Sequence, residues 1–507
     1  MNKASSLAFF ITTLFKSYES PMFNKTLRTL CVLLCVAFVA GCAQPYPKVE
    51  PDFESDWQAQ SYHAEVALLA SAPEAFARRI QLVRNAKSSI DMTYFDWEKD
   101  TLGILLLSEI KFAANRGVKV RLTLDDLMVF NEKWLAELDS HENIEIRIFN
   151  PFDSRKIGWL GRAINFASNQ DRLDNRLHEK YFNVDHTNMI LGGRNIGSDY
   201  FGYNKKANFF DLDVLFQGDV IKAFDANYNH MWNSKHVTPI QELIKVDENH
   251  RYADFYKAMA KAKANKGNKS VIQDVYDQVA KLKQPDLISA EVTPVFDSLK
   301  KLENNKPYFR KRAERTIKAE LNAAKNVIIS TPYMVPTQGK FSVIEQLEKQ
   351  GTEVTILTNS SASNDSGFIP AYYQKHRITL LNKGVDLYEY KDTAHNEDHF
   401  YHGDTFYHNK ALIFDDRLSF IGSSNFDPRS DFLNLEFGLF IRSDAFAKHL
   451  QEYLLGDKDL FWKVTLDEQG EPLWSSPSET SVDNPNYGAE HEFIDWIFRK
   501  MDAEFEL

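Results

Sequence analysis

Two segments of the chain carry the same reactive residues at the same spacing. HEKYFNVDHTNMILGGRN runs from His178 to Asn195, and HNKALIFDDRLSFIGSSN from His408 to Asn425. In each, a Lys stands two after the His, an Asp five after the Lys, a Gly seven after the Asp and an Asn three after the Gly. Two independent copies of His-x-Lys-x4-Asp-x6-Gly-x2-Asn are hard to assign to chance. The residue types suit substitution at a phosphodiester. Lysines neutralise a charge that repels nucleophiles and stabilise the extra charge of the transition state. Imidazole can attack phosphorus and split one hard step into two through a phospho-His. A second His, protonated, can donate to the leaving alkoxide and then take a proton from the incoming alcohol or water.

The catalytic candidates are therefore His178, Lys180, Asp185, His408, Lys410 and Asp415. The residues between each His and Asp read as strand, where positions i and i+2 share a face. His178 then points with Lys180, and His408 with Lys410. Seven residues, an odd number, separate each Asp from its His. A straight strand puts them on opposite faces, so the Asp is read as supporting the turn into the next strand. One half of the chemistry comes from each segment, which predicts a single site where two units meet.

The elements around the motifs repeat as well. The first unit reads as helix 75–86, strand 89–95, helix 102–114, strand 118–124 and strand 144–149. The second reads as helix 319–325, strand 327–331, helix 342–349, strand 354–357 and strand 385–388. Alternating strands and helices imply βαβ units and mixed or parallel sheets. Tyr94 is aligned with Tyr333, and Asp125 with Asn359. A repeat at this separation indicates a duplicated domain rather than a solenoid. The predicted organisation is 61–245 and 293–507 for the two units, with 246–292 as a polar helical connector.

The chain has 507 residues, 43% of them hydrophobic, with a formal net charge of -11. That acidic balance argues against nucleic acid, whose phosphates demand a basic footprint. All three cysteines, Cys31, Cys35 and Cys42, lie in the first 42 residues, so the folded part has no disulfide and no thiolate. Lys25 and Arg28 precede an apolar run from Leu30 to Ala40, too short to span a bilayer. The run ends Val39-Ala40-Gly41-Cys42, which resembles a bacterial lipobox with Cys42 as the lipidated residue. Residues 1–42 are thus expected to be a lipoprotein signal peptide, with 1–21 a possible extension upstream of a start at Met22. Residues 43–60 read as a tether.

At the paired motifs the chain resembles the phospholipase D superfamily. SIDMTYFDWEKD, RGVKVRLTLDD, RLHEKYFNVD, LGGRNIGSDYF, STPYMVP, LTNSSASND and GSSNFDPRS are similar to bacterial cardiolipin synthases, the C-type group above all. The resemblance implies an α/β fold of duplicated phospholipase D-like domains, mixed sheets flanked by helices, and one active site at the interface of the halves. It implies catalysis without metal or cofactor through a phosphatidyl-His, with His178 as nucleophile and His408 as acid and base. It implies phosphate contacts from Asn195, Ser423 and Asn425 as well as the lysines. Glu436 matches a carboxylate that orients a catalytic His, with Asp213 as its counterpart. Position 193 is Gly where many relatives have Ser, which removes one phosphate hydroxyl.

The implied reaction moves a phosphatidyl group from phosphatidylglycerol or phosphatidylethanolamine onto phosphatidylglycerol. A phospholipase D passes the same intermediate to water, and the motif does not distinguish the two. A nuclease and a non-catalytic envelope lipoprotein are the remaining classes, the nuclease disfavoured by charge. A periplasm-facing, lipid-anchored protein is expected, in either membrane of the envelope. Three further segments carry weaker signals. RKIGWLGRAINF (155–166) fits a membrane-facing loop or an amphipathic helix packed on the core. Residues 490–507 fit a docked helix with acidic flanks. His395, His399 and His402 with Asp398 and Asp404 have spacing that zinc could use, but read as a polar loop.

Overall fold

The computed structural model describes residues 47–129, 132–155, 158–247, 252–501 and 504–506. The expected leader, with Cys42, lies outside the described residues.

The first half contributes β1 (Tyr62–Leu69), β2 (Ser89–Tyr94), β3 (Lys119–Asp125), β4 (Ile144–Phe149), β5 (Tyr181–Val184), β6 (Asn188–Gly192), β7 (Ala207–Phe210), β8 (Asp213–Gly218) and β9 (Val237–Pro239). The second contributes β10 (Ile288–Phe296), β11 (Asn326–Ser330), β12 (Glu353–Asn359), β13 (Asp386–Tyr390), β14 (Asp404–Tyr407), β15 (Ala411–Phe414), β16 (Leu418–Gly422) and β17 (Phe437–Arg442), then β18 (Phe461–Leu466), β19 (Pro472–Ser475) and β20 (Thr480–Ser481). All but β7 and β14 join one sheet of 18 strands. From one edge to the seam the order is β9-β4-β3-β2-β5-β6-β8-β1. Across the seam it continues β10-β17-β16-β15-β11-β12-β13-β18-β19-β20. The β2-β3-β4 and β11-β12-β13 sets are parallel and almost wholly buried on Val, Ile and Leu, as parallel sheets covered on both faces must be.

The seam is the antiparallel pair β1–β10, registered from Tyr62↔Val292 to Val66↔Ile288. Neither strand was expected, and β10 begins inside the segment read as connector. Its alternating residues bury Ala290 and Val292 against Ala64 and Val66, so the two halves share a core at this point.

Helices cover both faces. In the first half, α1 (Ala72–Asn85) starts at Ser71, whose hydroxyl accepts from Glu74 N, with Pro73 in its first turn. Asp100 caps α2 (Thr101–Asn115) through Gly103 N. Of the two alternatives for 155–166, the structure forms a helix, α3 (Gly158–Ser168), packed by Phe166 on Leu127, Phe152 and Leu173, with Ile164 exposed. The connector folds as α4 (Ala253–Ala264) and α5 (Lys266–Lys281), whose Phe255, Ala258, Val271 and Val275 enter the first-half core.

The helices of the second half are shorter at the start: α6 (Tyr308–Thr316) breaks at Ile317 before α7 (Lys318–Ala323), and α8 (Gln338–Lys349) and α9 (Ile369–Asn382) follow. The short α10 (Pro428–Phe432) stands beside the second motif. Last, α11 (Ala489–Met501) docks on α9 through Ile497 and Phe498 and exposes Phe493 and Trp496. Part of the expected tether is not free. Glu50 pairs with Lys306 at 2.7 Å, Glu54 with Arg312 at 2.6 Å, and Phe53 stacks edge-on with Tyr308.

Candidate active site

Each motif histidine is delivered by a short parallel pairing with the opposite half. Strands β7 and β14 pair from Ala207↔Asp404 to Phe210↔Tyr407, and the next residues are Asp211 and His408. The His408 N–H donates to Phe210 O at 2.8 Å, and its ring Nδ1 lies 2.6 Å from Asp211 Oδ2. A bridge between Leu177 and Leu435 does the same for the other pair, since His178 and Glu436 come next. The His178 N–H donates to Leu435 O at 3.1 Å, and Nδ1 lies 3.0 Å from both Glu436 oxygens. Each half therefore orients the other half's histidine. Asp125 and Asn359 grip the residues just before the histidines: Leu177 N–H donates to Asp125 at 2.9 Å, and Tyr407 N–H to Asn359 Oδ1 at 2.8 Å.

The lysines emerge as strand alternation predicts. Lys180 Nζ donates to His178 O and Lys410 Nζ to His408 O, both at 2.7 Å, and Lys410 Nζ also lies 3.1 and 3.2 Å from the two His408 ring nitrogens. The two pairs form one electrostatic site. Lys410 acts on His178, and both Lys180 and His178 act on His408. Burial pushes Lys180 down to about 7 and Lys410 to about 8, against the pull of Glu436 and Asp211. Burial also lowers His178 to about 4, against Glu436, and holds His408 well below its usual value with the help of Lys410. Both rings are then neutral at pH 7, and His178, with its Nδ1–H on Glu436, presents Nε2 as a free lone pair.

The two carboxylates are supported differently. Burial alone would raise Glu436. The His178 ring, Lys180 and the Ser423 hydroxyl overcome it and hold the carboxyl at about 2. Ser423 Oγ donates to one Glu436 oxygen and Ser430 Oγ lies 3.0 Å from the other. Ser423, expected against phosphate, is thus spent on Glu436. Its counterpart Gly193 has no hydroxyl, and a Cβ there would collide with the Asp211 carboxylate. With no such hydroxyl, burial raises Asp211 to about 6 despite Lys410 and Arg194. Gly193 against Ser423 accounts for one hydroxyl of this asymmetry, and Ser430 supplies a second to Glu436.

Asp213 is not the counterpart of Glu436. Gly192 pairs with Asp213 in β6–β8, and Gly422 with Gly438 in β16–β17. Aligning those glycines sets Asp213 on Gly438 and Asp211 on Glu436. Asp213 points away from the histidines into a buried cluster with Arg79 (2.9 Å) and Arg194 (3.3 Å). The same register puts Tyr94 level with Thr331, not Tyr333. Asn195 donates to Tyr200 Oη at 2.9 Å and accepts from Asp96 N, and Asn425 N–H donates to Ser430 Oγ at 2.9 Å. The Asn195 amide is thus engaged with protein, whereas Asn425 is held by its backbone and its side-chain Oδ1 is buried without a hydrogen-bond partner among the described residues.

Asp185 and Asp415 stand at the far end of the motif strand, in hairpin turns where φ is 56° and 50°. An Asp tolerates that left-handed backbone better than most residues. Asp185 accepts from the N–H groups of Lys87, Ser88 and Ser89 and from Ser88 Oγ, and Asp415 from Lys325 and Asn326 N–H. They tie the hairpin to the loop before β2 or β11 and touch no reacting group. Asp185→Ala is expected to cost about 1–3 kcal/mol in urea unfolding while kcat per folded molecule stays within about twofold.

The histidine-rich loop does not converge. Asp398 accepts from Ala72 N at the start of α1, and His399 packs against Gly202. Among the described residues, one group gathers ligand atoms closely: Asp91, His186 and Asp225. There Arg121 holds both Asp91 oxygens, while Tyr181, Asn183 and His186 bond Asp225.

A family model described as "Cardiolipin synthase, PLD-like domain" matches residues 80–232 and 317–458, one segment in each half. The chain belongs to this family. Within it, cardiolipin synthase C of Escherichia coli (strain K12) is 32% identical over 426 residues, covering 80% of this chain and 87% of that protein. Cardiolipin synthase 1 of Staphylococcus epidermidis (strain RP62A) is 26% identical over 396 residues, covering 76% of this chain and 66% of that one. The crystal structure of a phosphatidylserine synthase from Haemophilus influenzae Rd KW20 shares the fold, with a TM-score of 0.59 at 16% identity, over 87% of this chain and 95% of that one. The two matched segments and the shared fold agree with the duplicated architecture of this chain, in which reciprocal His–carboxylate pairs join the halves.

Proposed function

We propose that this phospholipase D-type phosphatidyltransferase makes cardiolipin, taking a phosphatidyl group from phosphatidylglycerol or phosphatidylethanolamine and passing it to phosphatidylglycerol. The observation that carries the reading is the reciprocal site, with two neutral imidazoles and two lysines supplied by opposite halves. His178 Nε2 attacks phosphorus while Lys180 and Lys410 hold the phosphate oxygens. The Nδ1–H bond to the ionised Glu436 stabilises the charge that the ring acquires. His408 donates a proton to the departing headgroup oxygen. The bound phosphate offsets the Lys410 ammonium and raises the His408 pKa enough for that donation. His408 then removes the proton from the primary hydroxyl of the acceptor, whose oxygen attacks phosphorus and frees His178.

A lipid anchor at Cys42 would hold the site at the periplasmic face of a membrane. Among the described residues no helix is long and apolar enough to cross one. The test is to incubate purified protein with phosphatidylglycerol, with and without phosphatidylethanolamine, and identify products by mass spectrometry. Cardiolipin supports the synthase. Phosphatidic acid alone makes it a hydrolase, and no product at all sinks the lipid reading.

The lysines predict the pH profile. Their ammonium forms are present below about 7 and about 8 and are lost as pH rises through those values. The phosphodiester keeps one charge throughout. KM should therefore climb above pH 7–8, and kcat/KM should fall. Bound phosphate raises both lysine values, so the kcat limb should lie at higher pH than the kcat/KM limb. Initial-rate profiles from pH 5 to 10 check this.

A further inference from the structure

An apolar groove opens in the second half between α6, α7, α8 and the sheet, with a cavity of ≈ 100 Å³. That is several times the ~10–15 Å³ needed to admit one water. Ala313, Val343, Leu412, Ser424 and Phe426, all partly exposed, line it together with the buried Lys410. Lys410 is the lysine that faces the His408 ring. The groove therefore shares one lysine with the reaction centre.

At the equivalent place among the described residues of the first half, the space is filled by side chains. Aligning the two motifs sets Arg194 on Ser424, Asp213 on Gly438 and Phe182 on Leu412. In the first half Arg194, Asp213 and Arg79 fill this position, and Phe182 is fully buried under Arg79. In the second half the same positions carry a hydroxymethyl and a hydrogen, and the covering helix is broken at Ile317. Leu412 is left only partly buried.

We propose that this groove takes one acyl chain of the phospholipid whose phosphate lies between His178 and His408. The proposal rests on the transferase reading above and adds to it a chain subsite on one half alone. Its surface is mostly apolar and includes Lys410, a combination that suits a chain attached to a phosphate. The occupant is a lipid chain rather than a second protein segment because Lys410, which lines the groove, also stands beside the reacting His408 ring.

Val343→Trp and Ala313→Phe narrow the groove, without touching the histidines or lysines. For each variant, kcat/KM is measured with dioleoyl-phosphatidylglycerol and with the chainless diester bis(p-nitrophenyl) phosphate, alongside a melting curve. The ratio of the two values should fall about tenfold or more through KM for the lipid. Each methylene displaced is worth roughly fourfold in binding. The lipid retained by His178→Ala, weighed by native mass spectrometry, should fall in the Val343→Trp double variant. An unchanged ratio in both folded variants overturns the groove and leaves the transferase reading intact. Failure of the wild-type protein to act on phosphatidylglycerol while cleaving the diester overturns both.

Discussion

Replacing His178 by alanine lowers turnover by at least about 10⁴-fold, the scale on which removing a nucleophile from a cooperating set usually acts. The companion variant His408→Ala is expected to differ in kind. His178 still carries a free Nε2 with Nδ1–H fixed on Glu436, so attack remains possible when the leaving group needs no proton. With bis(p-nitrophenyl) phosphate, His408→Ala should release one equivalent of nitrophenolate in a burst and then stall. Intact mass should rise by one nitrophenyl-phosphoryl group, located on His178 by peptide mapping and lost in mild acid, as P–N bonds are. His178→Ala should give neither burst nor adduct. A burst from His178→Ala with mass on His408 would exchange the two roles. The present assignment rests on the ionised, doubly hydroxyl-bonded Glu436 behind His178, set against a raised Asp211 behind His408.

Much of this site was legible in the sequence because its parts obey local periodicity. His178 and Lys180 lie just before a strand, so a two-residue step places them together, and the odd count to Asp185 sends that residue to a turn. The structure has Asp185 in a positive-φ turn, bonded to backbone. The expected strands of the βαβ units also stand where hydrophobic runs placed them. What local pattern did not reveal depends on pairing across the chain. Strand β1 meets β10 over more than 200 residues, and nothing within YHAEVALL or ISAEVTPVF names its partner. The docking of Phe53 and Glu54 on α6 is equally remote in sequence. In Asp211-Leu212-Asp213, two carboxylates stand one residue apart, and only the hairpin register decides which faces a histidine.

That last ambiguity supplies a sharp test, because the two aspartates should fail in opposite ways. Asp211→Asn keeps the shape but replaces the charged acceptor, 2.6 Å from His408 Nδ1, by an amide that can present either its oxygen or its N–H₂. An amide can offer its N–H₂ to the ring and favour the wrong tautomer. The expected loss in kcat is on the order of 10²–10⁴-fold, with the melting temperature nearly held. Asp213→Asn touches neither histidine. It leaves Arg79 and Arg194, both about 1% exposed, without their shared counter-charge. Breaking a buried ion pair by removing one partner costs about 3–5 kcal/mol. The Asp213→Asn protein should therefore unfold at markedly lower urea, while its folded fraction turns over substrate within a few-fold of wild type. The discriminating measurement is kcat normalised to folded protein, plotted against the unfolding midpoint. Glu436→Gln should fall beside Asp211→Asn on that plot, because the hairpin register sets Glu436 and Asp211 at equivalent positions of the two repeats. If Asp213→Asn instead lost its activity with its fold intact, the register-based assignment would be wrong, and the carboxylate behind His408 would have to be sought in the Arg79 cluster.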